Sequence, residues 1–356
     1  MPMQTPFRLN DFLLVIVVIS AMTIAIVFPG FGSLFQALPV YCLIVNFFLS
    51  YLSIDFESVW NALKEHSGQI LAFTAMKMAI LPIFIYFVFH FVAPAYALSA
   101  LLLTGVSTGV VSPMISNMVR GNSSLVLVVV VITSALAPFT LPAIVKIAAA
   151  RETAISFSAM FKMLAMIIFV PIIAVEIIRY MTPKLIAPIM KIQFPLSLVM
   201  FALINLGVFY RYAPFFKKDP SVIILAMVVV FVLAAIYFWA GIYFFRKGSL
   251  ENQLAGAVMM GNINNVLVIV FASEFFGPVE PLVAAMYIVS LFHPDHSPAL
   301  LPPSKRVRHY RLMISLIIFH HDCRLRLPFP TDSSRCAIPS SRPGLPSDSQ
   351  VSGKYV

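Results

Sequence analysis

Apolar residues in this chain arrive in blocks of roughly 20, the length that carries a helix across a ~30 Å hydrocarbon core. Turn formers separate the blocks: Phe28-Pro29-Gly30, Ala93-Pro94, Arg120-Gly121-Asn122, Thr182-Pro183, Ala213-Pro214 and Gly277-Pro278. The pattern predicts ten transmembrane segments, at 11–28, 34–54, 69–92, 96–118, 123–147, 157–180, 193–212, 221–245, 252–275 and 278–292. Hydrocarbon offers the backbone no partners, so each segment is read as a helix. The expected fold is all-α: a polytopic, multi-pass integral membrane protein in a bilayer, with residues 11–292 as its transmembrane domain. Arg8 precedes the first block, no small-residue cleavage site follows it, and more spans come after Pro29-Gly30. The first block is therefore read as a retained helix rather than a signal peptide.

Two segments depart from the rest. The fourth contains Thr108-Gly109-Val110-Val111-Ser112-Pro113 and then Ser116-Asn117; the ninth contains Gly261-Asn262-Ile263-Asn264-Asn265. Glycine, proline and asparagine at mid-membrane depth weaken a helix and free backbone groups, which is tolerable only inside protein or beside a wet cavity. Asn117 and Asn264 lie 147 residues apart, and the same shift carries the first segment onto the sixth. Five is odd, so the two halves, roughly 11–150 and 155–292, would form inverted repeats with broken fourth and ninth helices. Carriers of that build place substrate and ions where the broken helices meet. Small and amide residues also serve as packing glue between membrane helices. Their recurrence at corresponding positions favours a site, with Ser112, Ser116, Asn117, Asn262, Asn264 and Asn265 as its candidates.

Composition sharpens the class. Hydrophobic residues make up 60% of the 356 positions and charged residues 11%, too few to cover a soluble fold, which usually carries about 25% charged residues. The net charge of +10 has no basic stripe with interleaved aromatics, so nucleic acid is not an expected partner. Lys and Arg in the short loops divide eight to six in favour of a cytoplasmic N-terminus, placing residues 1–10 inside. Phe supplies apolar bulk, and Tyr and Trp are expected toward the interfaces. Cys42, Cys323 and Cys336 have no metal-ligand spacing, and no metal or other cofactor is expected from the residues.

Several stretches resemble the bile acid:sodium symporter family. They are Leu52 to Gln69 (LSIDFESVWNALKEHSGQ), Ile80-Leu81-Pro82, Val119-Arg120-Gly121-Asn122 through Ala137-Pro138 to Leu141-Pro142-Ala143, and the asparagine-rich break of the ninth segment. That break is also similar to the family's arsenite-efflux relatives. The resemblance covers roughly residues 10–292 and implies ten helices in a panel and a core, the fourth and ninth crossing at mid-membrane. It also implies sodium, but the residues depart from the family's sodium ligands. The fourth-helix Ser-Asn pair falls on Ser112 and Pro113, the fifth-helix hydroxyls on Val126 and Val130, the ninth-helix glutamate on Met259 or Met260, and the third-helix glutamine on Lys77. Only Ser112 keeps an oxygen-bearing side chain.

Lys77 sits some eight residues into its segment, roughly 12 Å deep at helical rise. An intramembrane charge is costly and is by default a functional candidate. Its ammonium could replace the missing sodium, holding the crossover in shape or balancing an anionic substrate; alternatively it snorkels to the headgroups along its four-carbon stem. Glu176 and Arg179, three residues apart, read as a local interfacial pair.

After Phe292 the character changes. Residues 293–356 hold nine Lys/Arg against four Asp/Glu and nine of the 26 prolines. A basic, disordered tail drawn to anionic lipid is one reading; a changed reading frame, favoured because the shift falls inside a segment, is the other. The function expected is secondary transport of a small organic solute, an anion by preference, through alternating access at the crossover. A metalloid (arsenite) effluxer of the same superfamily and a non-transporting sensor or scaffold stand as alternatives. No nucleophile–base pair or metal set suggests an enzyme, and nothing in the sequence fixes the oligomeric state.

Overall fold

The computed structural model describes residues 9–54, 56–148 and 156–290. The predicted tail 293–356, and most of the N-terminal stretch 1–10, lie outside the described residues. Helices account for nearly all regular structure. In order they are α1 (Leu9–Val27), α2 (Pro29–Gly32), α3 (Pro39–Tyr51), α4 (Phe56–Ala75), α5 (Leu81–Val92), α6 (Ala97–Gly105), α7 (Ser112–Val119) and α8 (Ser123–Ala148). There follow α9 (Phe157–Met181), α10 (Ile186–Phe209), α11 (Ala213–Lys218), α12 (Ser221–Phe244), α13 (Leu250–Gly261), α14 (Asn265–Phe275) and α15 (Val279–Ser290).

Among the described residues, five helices are long and apolar enough to cross a membrane: Ser67–Val92, Ser123–Ala148, Phe157–Met181, Pro183–Lys218 and Ser221–Phe244. Leu13–Val27 and Pro29–Phe35, bent by 112° at Phe28, make a sixth if counted as one. The remaining apolar helices are shorter, among them Pro39–Tyr51, Asn265–Phe275 and Val279–Val289. Exposed apolar side chains follow helical spacing, as Phe84, Phe87, Val88 and Phe91 do on α5, and Ile224, Leu225, Val228 and Val232 on α12. In water such stripes would aggregate; in a bilayer they meet lipid. The chain is a multi-pass integral membrane protein.

Boundaries moved where hydropathy and helix formation part company. The expected segment 34–54 is helical as α3 only from Pro39 to Tyr51, after a 3₁₀ turn at Ser33–Phe35. The expected segment 69–92 begins earlier, because α4 starts at Phe56. Its polar first turns carry Lys64, whose Nζ lies 5.2 Å from the ring centroid of exposed Trp60. That contact suits a helix end at headgroup level. The seventh segment likewise begins at Ile186, not at residue 193.

Between α4 and α5 the chain winds through a π-helical turn, Met76–Ile80, without interrupting the rod. The cause lies just downstream. Pro82 has no N–H to donate, and its ring presses on the carbonyl four residues back; a widened turn relieves the clash. This turn packs on α6 and α8. Elsewhere α1 packs on α10, α10 on α3 and α3 on α9, while α12 packs on α13 and α15, and α4 on α8.

Two local contacts hold this packing. A Cβ on Gly241 of α12 would stand 2.1 Å from the Gly256 carbonyl oxygen on α13, so the two backbones touch. The second is Arg179 on α9, which pairs with Glu176 at 3.0 Å and also reaches the end of α3. There its Nη2 donates to the carbonyls of Tyr51 and Leu52 at 3.2 and 3.3 Å, and to that of Ile54. The expected interfacial pair is thus also a cap on the carbonyl end of a neighbouring helix, where a cation is favoured.

Both contacts predict melting temperatures in detergent. Gly241→Ala forces the helices apart and should cost about 1–3 kcal/mol, whereas Gly68→Ala, with nothing within 4 Å of its added carbon, should leave melting unchanged or raised. Arg179→Ala should cost about 1.5–3 kcal/mol through its lost charge-assisted bonds, and Glu176→Ala under about 1 kcal/mol because its pair is exposed.

Candidate functional site

The polar residues of interest gather where two helices stop short. α6 ends at Gly105, Val106 turns extended with φ −74° and ψ 159°, and the chain resumes helix only at Ser112. α13 ends at Gly261, Asn262 leaves the helical region at φ −90° and ψ 88°, and α14 begins at Asn265. Each break orphans carbonyls on one side and N–H groups on the other.

The two breaks satisfy each other. Gly109 N donates to Asn262 O at 2.7 Å, and Asn264 N donates to Ser107 O at 3.0 Å. Between these bonds Thr108 and Ile263 face one another as a single antiparallel bridge. A Cβ on Gly109 would stand 3.1 Å from Ile263 O and 3.2 Å from Asn262 O, so the close approach needs glycine. Side chains complete the join. Thr108 N donates to Thr133 Oγ1 on α8 at 3.1 Å, and Thr108 Oγ1 donates to Met259 O at 2.9 Å. Asn262 Nδ2 donates to Ser112 Oγ at 2.8 Å, and Ser112 Oγ donates to Asn262 O at 3.3 Å.

The candidates from sequence divide on this geometry. Ser112 and Asn262 are buried at the centre. Asn264 belongs to the join through its backbone, and its side chain caps α14 by accepting from Leu267 N at 3.3 Å. Ser116 is buried one turn along α7, its Oγ without a hydrogen-bond partner among the described residues. Asn265 is buried but turned to α15, donating to Ala284 O at 3.2 Å. Asn117 stands on an exposed side of α7 and accepts from Ser123 Oγ, bracing the loop that follows.

Lys77 occupies the π-helical turn beside α6 and α8. It is fully buried, and its Nζ has no hydrogen-bond partner among the described residues. A snorkelling lysine leaves its amine at the surface; this one is sealed. On α4 and the fourth-segment break, Thr74 Oγ1 and Ser107 Oγ are likewise buried and have no hydrogen-bond partner among the described residues. The residues at the family's other ligand positions are apolar and buried: Val126, Val130 and Met259 are fully so, Met260 nearly so. Pro113 is half-buried. None of these side chains carries an oxygen.

Sequence reasoning missed the hydroxyls that brace the breaks. Thr104 and Thr133 bond back to carbonyls four residues earlier, Ala100 O and Val129 O, and so look self-satisfied in an apolar run. Thr104 Oγ1 also meets Tyr237 OH at 2.7 Å. Tyr237 lies beside Tyr287, their rings tilted by 42° with centroids 6.0 Å apart, and Tyr287 OH donates to Gly261 O at 2.6 Å. Tyrosines were expected at interfaces, but these two are buried. Each hydroxyl has an acceptor within the protein, which removes the need for water.

Residues 40–219 match the sequence model of the sodium bile acid symporter family. A search of curated proteins finds no match. The matched stretch spans half of the chain and takes in α3 to α11, including the first break, Lys77 and the α8 threonine that holds that break; the chain therefore belongs to the sodium bile acid symporter family, whose members are transporters.

Proposed function

We propose that this protein is a secondary carrier that moves a small organic anion across its membrane by alternating access at the paired breaks. In this reading the helices form ten passes in two inverted repeats, about 11–150 and 155–292, with the N-terminus on the cytoplasmic side. The group α1, α3, α9 and α10 would be the panel against which the remaining helices rock. Mutual packing within that group supports the division.

The observation that carries the reading is the sealed amine of Lys77, without a hydrogen-bond partner among the described residues, on a turn packed against α8 and against α6, the helix that leads into the first break. A buried charge without a partner costs several kcal/mol, and a protein keeps such a group where a ligand completes it. An anion would do so. The N-termini of α7 and α14 both lie at the crossover and present their positive dipole ends to the same charge. Ser112, Ser116, Asn262 and Asn264 would supply hydrogen bonds, with Asn265 and Asn117 holding the adjoining helices in place.

Uptake of radiolabelled organic acids into proteoliposomes tests the proposal. Saturable uptake of an anion above protein-free vesicles is expected; flux of none, or of cations or neutral solutes alone, contradicts it. Lys77→Met should lower that uptake at least about tenfold. The same change should raise the melting temperature of the anion-free protein by several degrees, because it removes an unpaired buried charge. A lower melting temperature with intact uptake would make Lys77 a structural residue.

A further inference from the structure

Two helix ends are tied together away from the breaks. The turn Tyr210–Tyr212 continues α10, and Glu274 stands in the last turn of α14. Arg211 Nη1 lies 3.8 Å from Glu274 Oε1, and Tyr212 OH donates to Ser273 O at 3.4 Å. The cation meets the negative end of the α14 dipole, and the tyrosine takes up a carbonyl of its last turn. Both bonds run from the group α1, α3, α9 and α10 to the half-helix that leaves the second break.

Packing follows the same line. α14 lies against α3, α9 and α10. The buried residues of α10 are its last six, from Ile204 to Phe209, while residues 186–203 are exposed or half-buried. That helix is thus enclosed only at the end that carries Arg211. α7, which follows the first break as α14 follows the second, packs on α8 and α13 instead. The two half-helices meet the panel unequally.

Resting on the carrier reading, we infer that the Arg211–Glu274 pair is a latch that holds α14 against the end of α10 and parts when the carrier opens toward that face. In the ten-pass reading the face is the one opposite the N-terminus. The strength of the contact suits the role. The two side chains are 39% and 38% exposed, so water weakens their attraction to a bias of at most about fivefold between shut and parted states. On parting, both charges pass into water already at hand. Arg179 makes the contrast: its bonds to the carbonyls of Tyr51, Leu52 and Ile54 join two helices of one group, where no parting is required.

Ser273 can report the parting, because it is 6% exposed and Tyr212 sits on its carbonyl. The test measures the rate at which N-ethylmaleimide labels Ser273→Cys in proteoliposomes, in a chain with its three native cysteines replaced. Adding Arg211→Gln or Glu274→Gln should raise that rate roughly two- to fivefold. Exchanging the charges, with Arg211→Glu and Glu274→Arg together, should bring it back toward the starting value. Glu176→Gln, which breaks an ion pair inside one helix group, should leave it unchanged. Equal rates in all variants would overturn the inference, as would a charge exchange that labels as fast as the single changes. Labelling registers the parting without any solute. Absence of anion flux would therefore sink the carrier reading, while the latch stands or falls on the labelling rates.

Discussion

Backbone groups inside a hydrocarbon layer have nothing to bond but one another, and an unsatisfied one costs several kcal/mol. A helix that stops mid-membrane therefore needs a second element shaped to receive its free ends. Here the second element is another interrupted helix. The extended residues of each break supply the partners of the other, through Gly109 N to Asn262 O and Asn264 N to Ser107 O. Asn262 does more than any other residue at the join. Its carbonyl accepts from Gly109 and Ser112, its amide donates to Ser112, and its own N–H closes α13 on Val258 O at 2.9 Å. The hydroxyls of Thr108, Thr133 and Tyr287 meet further backbone groups of the join: Met259 O, Thr108 N and Gly261 O.

A join of this kind couples folding to function. It holds two half-helix N-termini and several polar side chains at one buried place while leaving them dependent on side-chain hydrogen bonds rather than continuous helix. Lys77 works against stability in the same region. The π-helical turn forced by Pro82 packs on α6 and α8, and the Lys77 amine has no hydrogen-bond partner there among the described residues. Under the proposed reading a ligand supplies the interaction that the buried Lys77 amine lacks among the described residues.

The breaks were legible in the sequence because Gly, Pro and Asn at apolar depth conflict with a continuous helix, and 147 residues separate Asn117 from Asn264 in the two disturbed segments. That they meet was expected from the repeat and the resemblance; the bonds that join them were not legible, because backbone hydrogen bonds leave no mark on side-chain identity. Asn117 and Asn265 have the same side-chain amide as Asn262, yet they serve the Ser123 loop and α15. Tyr237 and Tyr287 read as interfacial residues, and only three-dimensional proximity to Thr104 and Gly261 gives their hydroxyls a buried role. The early start of α4 escaped hydropathy because a helix end in the headgroup region carries charge. Lys77 stood out by depth, but its lack of a partner could be seen only in the fold.

The antiparallel bridge between Thr108 and Ile263 gives the most direct measurement of the join. The hydrogen bonds flanking it make this the non-hydrogen-bonded pair of a ladder, whose Cα atoms stand about 4.5 Å apart, within reach of a disulfide. Thr108→Cys combined with Ile263→Cys, in a chain with its three native cysteines replaced, should cross-link within one molecule under mild oxidation, while either substitution alone should not. If the double variant folds and its two thiols remain free under the same oxidation, the breaks do not meet, and the shared site at their junction does not exist.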